Sequence, residues 1–208
     1  MRLEGCCRGP WACVLACVAL LGFAQQAAAD EKQSRIRMGI FTSKDARIDM
    51  TLPFTDADGV QLPLSRLVIP DKPFILVPIF YKCPRLCSLT FGGVIELINA
   101  LPLTLGIDYS VVSYSFNPQE GPNDAREKRT EVVRRLKKQP APPSGWAFVT
   151  GSPGSISALN DQLGFRIRLA DKEIEHSSAI FVVSPDGTVR RYFAGIEFNV
   201  EKVQRTLQ

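Results

Sequence analysis

Cys83 and Cys87 stand with three residues between them at the point where an apolar run, Phe74 to Phe80, meets a helix-spaced segment, Leu89 to Leu103. The composition of the first run is that of a strand, so the thiols fall on a strand-to-helix junction of an α/β unit. With Pro84 in the first helical turn, where its missing N–H costs nothing, the two cysteines share one helix face with Cα atoms on the order of 6 Å apart. That separation suits a disulfide, and it equally suits two thiolates gripping one soft metal ion. A helix N-terminus favours the thiolate form, as do Lys82 and Arg85 beside it, so reactive rather than buried sulfur is expected here.

The first 29 residues set the context of these thiols. Arg2 and Arg8 precede an apolar run from Trp11 to Ala24, and Ala27-Ala28-Ala29 before Asp30 fits a small-residue cleavage site. The run is shorter than the roughly 20 apolar residues a spanning helix needs. Residues 1–29 therefore read as a secretory signal peptide and the protein as exported and periplasmic, with membrane association through an uncleaved leader as the alternative. Cys6, Cys7, Cys13 and Cys17 lie in the leader, so only Cys83 and Cys87 remain beyond it. An oxidising compartment allows a structural disulfide. A bridge closing so short a loop stabilises by less than the roughly 3 kcal/mol of a 15-residue loop, which makes stapling alone a poor reason for the pair.

The 208 residues leave room for one domain of ordinary size, 45% hydrophobic and 22% charged, as in soluble globular proteins. The net charge of +4 is small and dispersed, which excludes an electrostatic case for nucleic acid. No small-molecule substrate site is evident. Residues 30–47 read as a polar lead-in without a period of its own, and residues 48–208 as the folded domain.

Within that domain the elements follow in order. Met50 to Val60 carries an Asp-Gly turn between short apolar segments, an N-terminal hairpin signal. Tyr109 to Phe116 and Trp146 to Thr150 read as buried strands. Asp124 to Lys138 reads as a charged helix capped by Asn123, its alternating charges marking a solvated face. Ser155 to Leu163 is a helix closed by Gly164. Ala170 to Ser178 reads as a loop carrying His176. Ala179 to Val183 and Thr188 to Phe193 flank a Pro-Asp-Gly turn as a second hairpin, and Asn199 to Leu207 closes the chain as a helix. The pattern is an α/β, thioredoxin-like fold, with an N-terminal β-hairpin extension and a β-hairpin insertion near the C-terminal end.

His176 is the only histidine. In such a fold the loop before the second hairpin faces the helix end that bears the dithiol, so His176 approaches Cys83 and Cys87. Two thiolates and an imidazole form a soft three-ligand site that suits copper(I) or zinc, and the imidazole also suits copper(II). A structural zinc site would ordinarily have four protein ligands, and no fourth cysteine or histidine exists beyond the leader.

At these residues the sequence resembles the Sco/SenC family, copper-binding thioredoxin-like factors for assembly of the copper centre of cytochrome c oxidase. The likeness runs from about residue 50 to residue 205. It is carried by Phe80-Tyr81-Lys82-Cys83-Pro84-Arg85-Leu86-Cys87, by Val112 to Pro118, by Glu175-His176 leading to Val183 to Gly187, and by Arg191 to Gly195. The resemblance implies that Cys83, Cys87 and His176 are copper ligands and that a copper-accepting subunit of a membrane oxidase is the partner, with other copper carriers as further partners. It implies a metallochaperone that delivers copper to, or reduces the cysteines of, that centre, rather than an enzyme. Glu175 and Asn117 stand where family members often have aspartate, which leaves open a copper-handling paralogue not devoted to oxidase assembly. The other alternative is an exported thiol-disulfide oxidoreductase, with Cys83 and Cys87 as a redox-active catalytic pair. Against it, thioredoxin-type reductases space their cysteines by two residues and set a cis-proline opposite them, whereas Ser177-Ser178 follows His176 here.

Overall fold

The computed structural model describes residues 38–83, 86–137, 145–170 and 173–208. The region read as a leader, Pro84 and Arg85, and the proline-rich 138–144 lie outside them.

Three strands build the centre: β4 (Phe74–Ile79), β5 (Ser110–Ser115) and β6 (Trp146–Thr150). They pair in parallel, Phe74 opposite Ser110 and Val111 opposite Trp146. Every residue of β4 and β5 is buried, because helices cover both faces of a parallel sheet. Antiparallel strands extend the sheet on both sides. The hairpin of β2 (Pro53–Asp56) and β3 (Gln61–Pro63) joins β6, and the hairpin of β10 (Ala179–Val183) and β11 (Val189–Ala194) joins β4. The order is β11-β10-β4-β5-β6-β2-β3. The two hairpins expected from their Asp-Gly turns are thus sheet strands in their own right.

Alternation along the strands assigns the helices to faces. α1 (Leu86–Ala100) sets Phe91 against Phe148 and Trp146, with ring centroids 6.0 and 6.3 Å apart. On the opposite face Tyr114 donates a hydrogen bond of 2.7 Å from its hydroxyl to Asn160 of α3 (Pro153–Leu163). α2 (Pro122–Val133) shares the α1 face, with Lys128 over the Phe91 ring. Arg129 grips both carboxylate oxygens of Asp58 at 3.0 Å, tying α2 to the β2–β3 turn. α4 (Val200–Leu207) buries Val203 and Leu207 and is capped by the Asn199 side chain.

Several boundaries differ from the sequence reading. α1 begins three residues earlier than Leu89 and ends at Ala100. α2 is capped at Gly121 rather than Asn123: Pro122 takes the first helical position, and the Asp124 carboxylate accepts the Gly121 N–H at 2.9 Å. The segment before Ile48 carries structure from residue 39. β1 (Gly39–Ile40) pairs with β7 (Phe165–Arg166), and Ala46 and Ile48 are buried. The stretch read as a loop, Ala170 to Ser178, contains a strand, β9 (Glu173–Glu175), paired antiparallel with β8 (Arg168–Ala170), and His176 follows β9 directly.

Candidate metal centre

The site lies where β4 ends. Parallel pairing puts the chain after β5 at that same edge, and the antiparallel register of β10, with Phe181 opposite Leu76, brings the chain before Ala179 there too. Three connections therefore meet: the one carrying Cys83, the loop after Ser115, and the turn carrying His176.

One donor atom each from Cys83, Cys87 and His176 lies within 4.8 Å of the others. Cys87 Sγ is 3.6 Å from His176 Nε2. Both cysteines are free thiols. The other ring nitrogen, Nδ1, stands 3.0 Å from the Ser177 carbonyl oxygen, which accepts only a proton-bearing Nδ1. That contact leaves the Nε2 lone pair aimed at the sulfurs, the tautomer a metal ligand needs. The imidazole also packs on Phe116, 4.8 Å between ring centroids. Burial lowers the His176 pKa below its ordinary value, with the Ser177 carbonyl opposing in part, so the ring is neutral at neutral pH.

The thiols differ from the sequence expectation. Cys87 is 1% exposed, in the second position of α1, while Cys83 precedes the helix and is half-buried. Burial first, and then the Cys83 sulfur, push the Cys87 thiol well above its ordinary pKa. Lys82 does not offset this, because its ammonium group is 2.6 Å from Asp124 and largely in solvent. In the metal-free protein burial holds Cys87 as a thiol inside, while Cys83 lies on the surface side.

Three donors around one soft ion, at bond lengths of about 2.3 Å, stand about 4 Å from one another. The 4.8 Å limit is within a small side-chain movement of that arrangement. Two sulfurs and a neutral imidazole are a donor set that copper(I) prefers and that leaves a position for exchange.

The two residues that depart from the family pattern have partners of their own. Glu175 pairs with Arg168 across β8 and β9. Asn117 accepts the Gln119 N–H on its side-chain oxygen at 3.1 Å, a turn that aspartate would make equally well. Ser178, between His176 and β10, sets its hydroxyl 2.7 Å from Thr90 Oγ1 on α1 and 2.7 Å from the Gly195 carbonyl. No peptide among the described residues is cis.

Comparison with known proteins gives the family and the fold. The SCO1/SenC family matches residues 43–208. The chain belongs to the SCO1/SenC family. Sco proteins act in copper handling and cytochrome c oxidase assembly, and their fold is thioredoxin-like. A solved structure from Aquifex aeolicus VF5 is similar with 24% identity and a TM-score of 0.70, over 79% of this chain and 92% of that one. Arabidopsis thaliana ScoI, solved with copper bound, has 17% identity and a TM-score of 0.60, over 78% and 94%. BsSco, a member of the Sco family of cytochrome c oxidase assembly proteins in which a disulfide switch was identified, has 19% identity and a TM-score of 0.61, over 80% and 95%. No curated protein matches significantly.

Proposed function

We propose that this SCO1/SenC protein is an exported copper chaperone, in which Cys83, Cys87 and His176 hold one copper ion for transfer to the copper centre of a respiratory oxidase. The convergence of two sulfurs and a neutral imidazole within 4.8 Å supports this reading. With three protein ligands and a half-buried Cys83, an acceptor's sulfur can enter as an old bond leaves. The acceptor is a membrane oxidase subunit with exposed cysteines of its own. Metal binding requires free thiolates, so oxidation of the pair to a disulfide abolishes copper(I) binding. Titration of copper(I) into reduced and oxidised protein against a competing chelator tests the assignment; equal affinity in the two states refutes it.

A second reading is exported thiol-disulfide exchange, by which the protein would reduce the cysteines of that same centre. It draws on the closeness of a half-buried and a buried thiol, the pattern of an attacking and a resolving sulfur. Export is part of the proposal, and rests on the leader-like residues 1–29. Among the described residues no helix is long and apolar enough to cross a membrane. N-terminal sequencing of exported protein should find the chain starting near Asp30. An intact leader in the membrane fraction would replace a free periplasmic protein with a tethered one.

A further inference from the structure

Cys83 must be held opposite Cys87 and His176 by a connection that belongs to neither β4 nor α1. Its side-chain anchor is Tyr81, whose buried hydroxyl donates to the carbonyls of Ser113 and Val149 at 2.8 Å. The peptide groups are anchored elsewhere. The Tyr81 N–H donates to Oε2 of Glu120 at 2.9 Å, and the Lys82 N–H to Oε1 at 2.7 Å. The Ser115 hydroxyl donates to Oε2 at 2.6 Å. The Cys83 N–H then closes a turn onto the Phe80 carbonyl at 3.2 Å.

Glu120 is only 6% exposed. A carboxylate is costly to take out of water unless donors replace its hydration, and here three converge on it. Two of them are the consecutive amides just before Cys83, so one side chain fixes the peptide planes on both sides of Tyr81. The loop that supplies Glu120 begins at Phe116, the ring beneath His176. One connection thus supports the sulfur side and the imidazole side together.

We propose that Glu120 is the positioning residue of the dithiol: its carboxylate holds the Phe80–Cys83 turn so that the Cys83 sulfur stands where it can share a ligand with Cys87 and His176. Glu120 acts through the backbone and touches no ligand itself. The metal half of this inference rests on the copper reading; the dithiol half does not.

The test uses Glu120→Gln in the full chain. Glutamine keeps the size and one acceptor, but sets an NH₂ group against one of the two amides and breaks that tether. One readout is the metal-free equilibrium Cys83–SH + Cys87–SH + GSSG ⇌ Cys83–S–S–Cys87 + 2 GSH, followed by alkylation and mass spectrometry. The expected shift is about fivefold or more against the disulfide, and copper(I) affinity should fall about 10–100-fold. Tyr114→Phe is the control, since it removes the buried bond to Asn160 and lowers stability without touching the turn; both readouts should then stay within about twofold of wild type. The proposal is overturned if Glu120→Gln leaves both readouts within about twofold, or if the control moves them as far. If wild-type protein binds no copper(I), the copper reading fails and the thiol equilibrium alone decides the role of Glu120. If Glu120→Gln does not fold, Ser115→Ala takes its place: it keeps the carboxylate but removes the hydroxyl that orients it, and should shift the equilibrium about threefold in the same direction. An unchanged equilibrium in that variant overturns the proposal.

Discussion

In the proposed site, His176 is the residue that separates metal handling from sulfur chemistry. Disulfide exchange by Cys83 and Cys87 needs a thiolate and an accessible sulfur, whereas the proposed copper site also needs the imidazole. His176→Ala should lower copper(I) affinity by more than the roughly 10–100-fold that loss of an outer partner costs, while the cysteines still form and break their disulfide. A competitive chelator titration and a glutathione equilibrium, run on the same preparation, check the two halves. Unchanged copper affinity would remove His176 from the site. If reduction of a test disulfide substrate falls instead, the imidazole is tuning a thiol enzyme. The three donors were readable in the sequence because their residue types are scarce: beyond the leader the chain has two cysteines and one histidine. The burial of Cys87 was not readable, because a helix N-terminus argues for a reactive thiol and only the packing around it argues against. Glu120 was hidden for a similar reason. In Asn-Pro-Gln-Glu-Gly-Pro it reads as a loop residue, and the amides that bury it come from positions 39 and 38 residues away.

Two adjacent glycines in α1 show how closely an element can be specified. At Gly93 an added Cβ would fall 1.7 Å from the Ile196 carbonyl oxygen, so the chain beyond β11 rests directly on the helix backbone. At Gly92 the nearest atom is the end of the Arg135 side chain at 3.8 Å. Gly93→Ala should destabilise by about 1–3 kcal/mol through overpacking, and Gly92→Ala should stabilise by roughly 0.5–1 kcal/mol through helix propensity. Urea unfolding of the two variants measures the contrast; equal effects would mean that the Ile196 segment yields without cost. The long elements were readable from their periods, and β6 falls on the expected residues, Trp146 to Thr150. β9 was missed because a strand of three residues is too short to show a period, and its pairing with β8 is what makes it a strand. β1 has two residues, too few for any period, and exists because Gly164 lets Phe41 approach. Gly164 is in the left-handed region at φ 64°, and a Cβ there would meet the Phe41 carbonyl at 2.4 Å.

At the scale of the whole molecule, the folded unit reaches back to residue 39. The Phe41 N–H donates to Gly164, the Ile48 N–H to Gly187, and Ala46 and Ile48 lie in the core. A chain starting at Met50 should therefore melt lower than one starting at Met38, by on the order of 5–10 °C, measurable by calorimetry. Equal melting temperatures would make residues 38–49 a passive strap. The sheet order was partly readable, since alternating strands and helices imply a parallel centre; the place of each hairpin depends on pairing between residues far apart, which composition does not encode. That distance also governs assembly. Cys83 and Cys87 are neighbours along the chain, whereas His176 lies 89 residues beyond Cys87 and arrives only when β10 pairs with β4. Closing so long a loop comes late in folding and draws on the rest of the sheet. A chain emerging from synthesis or from a translocation pore has its sulfurs before it has its imidazole. On the proposed copper reading, tight retention of a soft metal by all three donors is thus a property of finished molecules only, which makes the metal site an internal inspection of whether the protein that carries it has folded.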